Sequence, residues 1–185
     1  MQSLRKSALV VALGLAAAGA MAGEINNSNI NATNSSNALN GAGSASQNIG
    51  LAEGNARIQN STINANGARN STNGIGASSQ SIGRASGNGR IENSTVRVQN
   101  ATNRVSGAGS ATQNIGFAEN NGRVQNSTVQ ATNVTNAVNG LGAARQEIGG
   151  ARNNGALVNS TVTANGVSNT TTGVGSTTQR VGVAQ

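Results

Sequence analysis

One phrase recurs along this chain at a fixed interval. RIQNSTINANG begins at Arg57, RIENSTVRVQN at Arg90 and RVQNSTVQATN at Arg123, each 33 residues after the last. From residue 24 onward the sequence divides into units of that length, 24–56, 57–89, 90–122 and 123–155, with a shorter fifth copy at 156–185. No insertion or deletion interrupts them. A period of roughly 20–50 residues points to a solenoid, a propeller or an array. Counted from 1 within a unit, eight positions are the same in all five copies: Asn 4, Ser 5, Asn 14, Gly 18, Gly 20, Gln 24, Gly 27 and Ala 29. Ile or Val holds nearly every copy of positions 2, 7 and 26.

Composition sets the competing reading, a disordered low-complexity chain. Phe117 is the single aromatic residue, and Ala, Asn, Gly, Ser and Thr dominate. Few large apolar side chains are available to contribute ~1.5–3 kcal/mol each on burial. Random composition, however, does not return Asn and Gln to the same phase in five successive copies.

Helical repeats fit poorly. Gly, Asn, Ser and Thr are weak helix formers, and β-branched residues fill the recurrent apolar positions. Short alternating runs appear instead. In NSTVQA (126–131), Ser127, Val129 and Ala131 share one face. In RQEIGGA (145–151), Gln146 and Ile148 share a face, and Ala151 takes the opposite parity, which predicts a bend at Gly149. Turn signals recur at the Asn–Gly pairs that close three units, at the Gly-x-Gly of positions 18–20, and near positions 10–11. The expected fold is all-β, a β-solenoid of five 33-residue coils with about three short strands and three corners each. Two shorter coils per repeat also satisfy the pattern.

In such a stack each residue lies about 4.8 Å from its equivalent in the next coil. An Asn or Gln amide carries donors and an acceptor, so identical amides can pair in a ladder and tolerate burial. The ladder candidates are Asn27, Asn60, Asn93, Asn126 and Asn159 at position 4; Asn37, Asn70, Asn103, Asn136 and Asn169 at position 14; and Gln47, Gln80, Gln113, Gln146 and Gln179 at position 24. The invariant Ser of position 5 can act likewise, more weakly. Positions 8 and 25 vary, which assigns them to the outside. Arg57, Arg90 and Arg123 stack at position 1, and Glu53 and Glu119, just before the turns leading to Arg57 and Arg123, are placed to offset their repulsion.

The first residues read as a processing signal. Arg5 and Lys6 precede a short apolar run, 7–20, and Ala-Met-Ala (20–22) is a small-x-small cleavage site between Ala22 and Gly23. The run is shorter than a membrane span needs, so the expectation is a bacterial Sec signal and a secreted chain without a membrane anchor. The formal charge of +7 includes Arg5 and Lys6; the remaining ten Arg and five Glu are dispersed. Without aromatic platforms this is a solvated basic surface, not a nucleic-acid site. The absence of Cys, His and Asp removes disulfides, most metal sites and the calcium-binding nonapeptide solenoids. No cofactor is expected, nor an enzyme, since only scattered Glu and Arg remain to do chemistry. The Asn-Ser-Thr triplets match glycosylation acceptors, but a bacterial signal and an inward Asn argue against that use.

No capping segment is visible beside the repeats. Open coil ends are edge strands ready to pair, so the end coils are expected to dock on further copies and to propagate a filament. SQNIGLAEGN (46–55) and TQNIGFAENN (112–121), with their in-phase Asn, Gln, Gly, Ala and Ser, resemble the subunits of bacterial functional-amyloid fibres, curlin-like or Fap-like in type. The resemblance implies an extracellular fibre for biofilm matrix or surface adhesion, with an outer-membrane export channel and a nucleator as partners. The alternatives are a secreted adhesin, because GASSQSIGRASGNG (76–89) is similar to trimeric-adhesin head repeats, and an ice-binding solenoid. For ice binding, Thr62, Thr95, Thr128 and Thr161 supply one clear column at position 6.

Overall fold

A computed structural model of the chain describes residues 23–184. The predicted signal segment, Ala22 included, lies outside the described residues, and Gly23 is the first of them. The described residues form fifteen strands and no helix. Three parallel sheets of five strands result. The first contains Glu24–Asn26, Arg57–Gln59, Arg90–Glu92, Arg123–Gln125 and Ala156–Val158. The second contains Asn29–Thr33, Thr62–Asn66, Thr95–Gln99, Thr128–Thr132 and Thr161–Asn165. The third contains Ser36–Ala52, Arg69–Ala85, Thr102–Ala118, Thr135–Ile148 and Ser168–Val181. Every pairing joins a residue to its equivalent 33 positions away, as Asn136 joins Asn103 and Asn169. The chain is a β-solenoid of five coils, one coil per repeat.

Local chemistry places the corners. Asn27, Asn60, Asn93, Asn126 and Asn159, between the first and second strands, all have φ between 47° and 50°. Asn enters this left-handed region more readily than other residues bearing a Cβ. The next corner, position 11, is also left-handed, with Asn34, Asn100 and Asn133 at 51–53° and Gly67 and Gly166 at 71° and 61°. Gly83 and Gly116 bend the third strand at φ 63° and 60°. A Cβ there would sit 2.6 Å from the Val96 side chain and 2.5 Å from that of Val129, so Gly is required for space as well as conformation.

The third strand is not short. It spans 17 residues in the first three coils and folds back on itself. Asn70 Nδ2 donates to the carbonyl of Ser79 at 2.8 Å, and Thr72 Oγ1 to that of Ala77 at 3.0 Å. Gly-x-Gly, expected to separate two strands, is the tip of this projecting β-arch, and parallel pairing runs through it. Gly74 and Gly76 have φ of 132° and 149°, and a Cβ on Gly76 would lie 1.5 Å from the carbonyl oxygen of Gly43.

The three sheets enclose an apolar core that includes Ile58, Ile63, Ile82, Val96, Ile115 and Val129, filled out by Ala68, Ala85 and Ala118. A second, smaller cluster of Val105, Ala111, Val138 and Ala144 lies within the arch. One assignment is corrected here. Position 25, read as outside, is buried at Ser81, Asn114 and Glu147. Variation at this position is therefore not a sign of exposure; at Glu147 it goes with the arginines that surround the carboxylate. Position 8 does face outward, with Arg97 and Gln130 exposed.

Candidate assembly surface

Two amide columns run the length of the stack. Asn37 Nδ2 donates to Asn70 Oδ1 at 3.0 Å, Asn70 to Asn103 at 3.0 Å, Asn103 to Asn136 at 2.8 Å and Asn136 to Asn169 at 2.7 Å. The Gln column runs the other way. Gln179 Nε2 donates to Gln146 Oε1 at 2.9 Å, Gln146 to Gln113 at 2.6 Å, Gln113 to Gln80 at 2.5 Å and Gln80 to Gln47 at 2.6 Å. The Asn amides also reach across the arch, Asn103 Nδ2 donating to the Thr112 carbonyl at 2.9 Å. The Gln amides reach the core corner, Gln47 Nε2 donating to the Ser35 carbonyl at 3.2 Å. In the three inner coils these six side chains are buried, and each is paired, which removes the desolvation penalty of an orphaned amide.

The Ser column works through the backbone. Ser61 and Ser94 each donate N–H to the Oγ of the next coil's Ser at 3.2 Å, and their own hydroxyls donate to the carbonyl two residues back at 2.7 Å.

Position 4 is a correction. Asn27, Asn60, Asn93, Asn126 and Asn159 are exposed corner residues, not an inward ladder. Their backbone links coils instead: Asn27, Asn60, Asn93 and Asn126 donate N–H to Gln59, Glu92, Gln125 and Val158. Invariance there reports the left-handed turn, a cause that an unbroken strand phase could not separate from an inward amide. A further amide ladder runs along the outside, at the unit-closing turns. Asn88 donates to Asn55 at 3.0 Å, Asn121 to Asn88 at 2.8 Å and Asn154 to Asn121 at 3.1 Å. The Asn of the unit-closing turns was its signal.

Charged groups gather differently from expectation. Glu92, not Glu53, pairs with Arg57, at 2.6 Å, and also approaches Arg90 at 3.9 Å. Glu119 pairs with Arg84, not Arg123. Glu147, 1% exposed, collects Arg145 at 2.8 Å, Arg180 at 3.5 Å and Arg152. The Arg152 guanidinium also lies 5.0 Å from the ring centroid of Phe117. That ring fills the space over Gly150, where any Cβ would collide with it. Among the described residues no group of three His, Cys, Asp or Glu side chains is placed to hold a metal ion. No helix among them is long and apolar enough to cross a membrane.

The two end coils expose what the inner coils bury. Ile25 and Ile30 of the first coil and Leu157, Val162 and Val167 of the fifth are only partly buried, whereas Ile58, Ile63, Ile91 and Val96 are 0% exposed. The ladders end on unlike groups. The Asn37 Oδ1 acceptor and the Gln47 Nε2 donor face out of the first coil; the Asn169 Nδ2 donor and the Gln179 Oε1 acceptor face out of the fifth. Backbone groups follow. Thr62, Thr95, Thr128 and Thr161 donate N–H to Ser28, Ser61, Ser94 and Ser127 of the preceding coil, so the equivalent N–H of Asn29 points out of the first coil. Each edge is thus the counterpart of the other. Comparison with protein-family models, curated proteins and solved structures finds no match to this chain.

Proposed function

We propose that this is a secreted structural protein that polymerises head-to-tail into an extracellular fibre, the fifth coil of one copy receiving the first coil of the next. The observation that carries the reading is the matched polarity of the two ladders. Gln47 of an incoming copy can donate to Gln179, and Asn169 can donate to the incoming Asn37, repeating the pairing inside the molecule. Turning one copy over with Asn kept on Asn and Gln on Gln would oppose acceptor to acceptor and donor to donor. Such a heterologous contact does not close and yields an open filament. Ile25 and Ile30 would meet Leu157 and Val162 and lose their remaining exposure. A fibre of this kind suits biofilm matrix or surface adhesion, and the signal-like first residues supply the export route, through an outer-membrane channel and with a nucleator. The protein acts as material and needs neither cofactor nor catalytic residue.

The test is to incubate the purified chain from Gly23 onward and follow it by electron microscopy and fibre diffraction. Filaments with a meridional spacing of about 4.8 Å and solenoid-width cross-sections are expected. A monomer that persists at high concentration, with and without preformed seeds, would reject self-assembly.

A further inference from the structure

The arch tips present one side chain per coil, at Ala42, Ile75, Ala108, Leu141 and Val174. Ile75, Leu141 and Val174 are 68%, 58% and 73% exposed; the other large apolar residue exposed among the described residues, Val181, lies on the open edge of the fifth coil. The tip column is in register and closely stacked. Leu141 pairs in register with Ala108 and Val174, and the flanking glycines lie so close to the preceding coil that no Cβ could fit. From position 17 to 21 no coil carries a charge or an aromatic ring. In order along the axis the ridge is small, large, small, large, large.

We propose that this ridge is a lateral contact with a second copy of the chain, arch tip to arch tip and antiparallel. A two-fold axis between the second and third coils sets Ala42 against Leu141 of the partner copy and Ile75 against its Ala108, and the symmetry repeats both pairs. All four of those rungs then bring a large side chain onto a small one, and no charge is buried. This self-complementarity selects a second copy over a lipid surface, which would reward bulk at every rung and a basic or aromatic flank. A two-fold contact is isologous and closes on itself. Four rungs bury much less than the roughly 1,200 Å² of a stable complex, so an isolated pair is weak. Repetition along two fibres makes it persistent, with one Val174–Val174 rung between successive sets of four. The fibre-pairing part of the proposal rests on the head-to-tail reading above; the contact itself does not.

Electron microscopy of Ile75→Ser/Leu141→Ser/Val174→Ser against the parent chain tests the ridge in fibres. The expected result is unchanged seeded elongation with single fibres where the parent gives pairs. A second variant, Ala42→Leu/Ala108→Leu, adds apolar surface but fills the sockets, and it too is expected to lose pairing. Pairing unchanged in the first variant, or increased in the second, overturns the proposal. If no chain forms fibres, head-to-tail assembly has failed and the contact is read by crosslinking. The chain has no Cys, so single-Cys copies Ala42→Cys and Leu141→Cys can be mixed and oxidised. Mixed dimers several-fold above either homodimer are expected; equal yields would rule the contact out.

Discussion

At the scale of single residues, two kinds of invariance coexist and have different causes. Asn126 is invariant because its φ of 48° is left-handed. Asn136 is invariant because its buried amide joins its counterparts above and below. A substitution separates them. Asn126→Ala is expected to lower stability by about 1 kcal/mol, the Cβ penalty of that conformation, while Asn126→Gly should cost less; chemical denaturation of the soluble chain measures both. The same changes at Asn136 should reverse the leniency, since neither Ala nor Gly restores the amide. Glu147 is a third case. It is buried with Arg145, Arg152 and Arg180 around it. Glu147→Gln should destabilise the fourth and fifth coils by about 1.5–3 kcal/mol, the range for hydrogen bonds to charged groups, seen as faster amide exchange there than in the first coil. Equal exchange along the chain would contradict this.

At the scale of the element, the arch is the feature that distinguishes this coil. Its arms face one another across Asn and Gln, with Val105 and Ala111 between. The ladders therefore hold the arch closed as well as joining the coils. Gln113→Leu/Gln146→Leu would strand the buried Gln80 acceptor, at a cost of about 1–3 kcal/mol, and would leave the exposed Gln179 without its partner. Assembly rate, followed by light scattering, should fall well below that of Arg97→Ala/Gln130→Ala, which alters exposed position 8. Comparable rates would mean that the Gln column contributes nothing. Asn114 and Glu147 would not serve as the surface control, because both are buried.

At the scale of the whole molecule, the proposed fibre makes a directional prediction. The N–H groups of Asn29 and Ser36 face out of the first coil, since their equivalents Thr62 and Arg69 donate to the preceding coil. Proline at both sites removes two intermolecular donors and no internal one. Asn29→Pro/Ser36→Pro should fail to add through its first coil yet still dock by its fifth. It should then halt growth of parent fibres at one end when present at a few per cent, as measured by single-fibre imaging. Halting at both ends, or at neither, would contradict head-to-tail addition.

The repeat, its length and its freedom from insertions were enough to specify a stack of five equivalent units, and the pairing at 33-residue offsets decided that each is one coil and not two. Parallel in-register pairing is the one arrangement that places every invariant Asn, Gln and Gly on its like. The β-branched columns, the Gly bend of the third strand and two of the three proposed amide ladders were legible for the same reason. What the tertiary structure decided was where the chain turns between those columns. A left-handed Asn and a laddered Asn have the same signature in a repeat, so position 4 became a corner. Gly-x-Gly marks a bend but not its depth, so the arch and its apolar tip emerged only once the two arms were seen to face each other. The burial of position 25 and the partners of Glu92, Glu119 and Glu147 likewise depend on distances between residues that no period encodes.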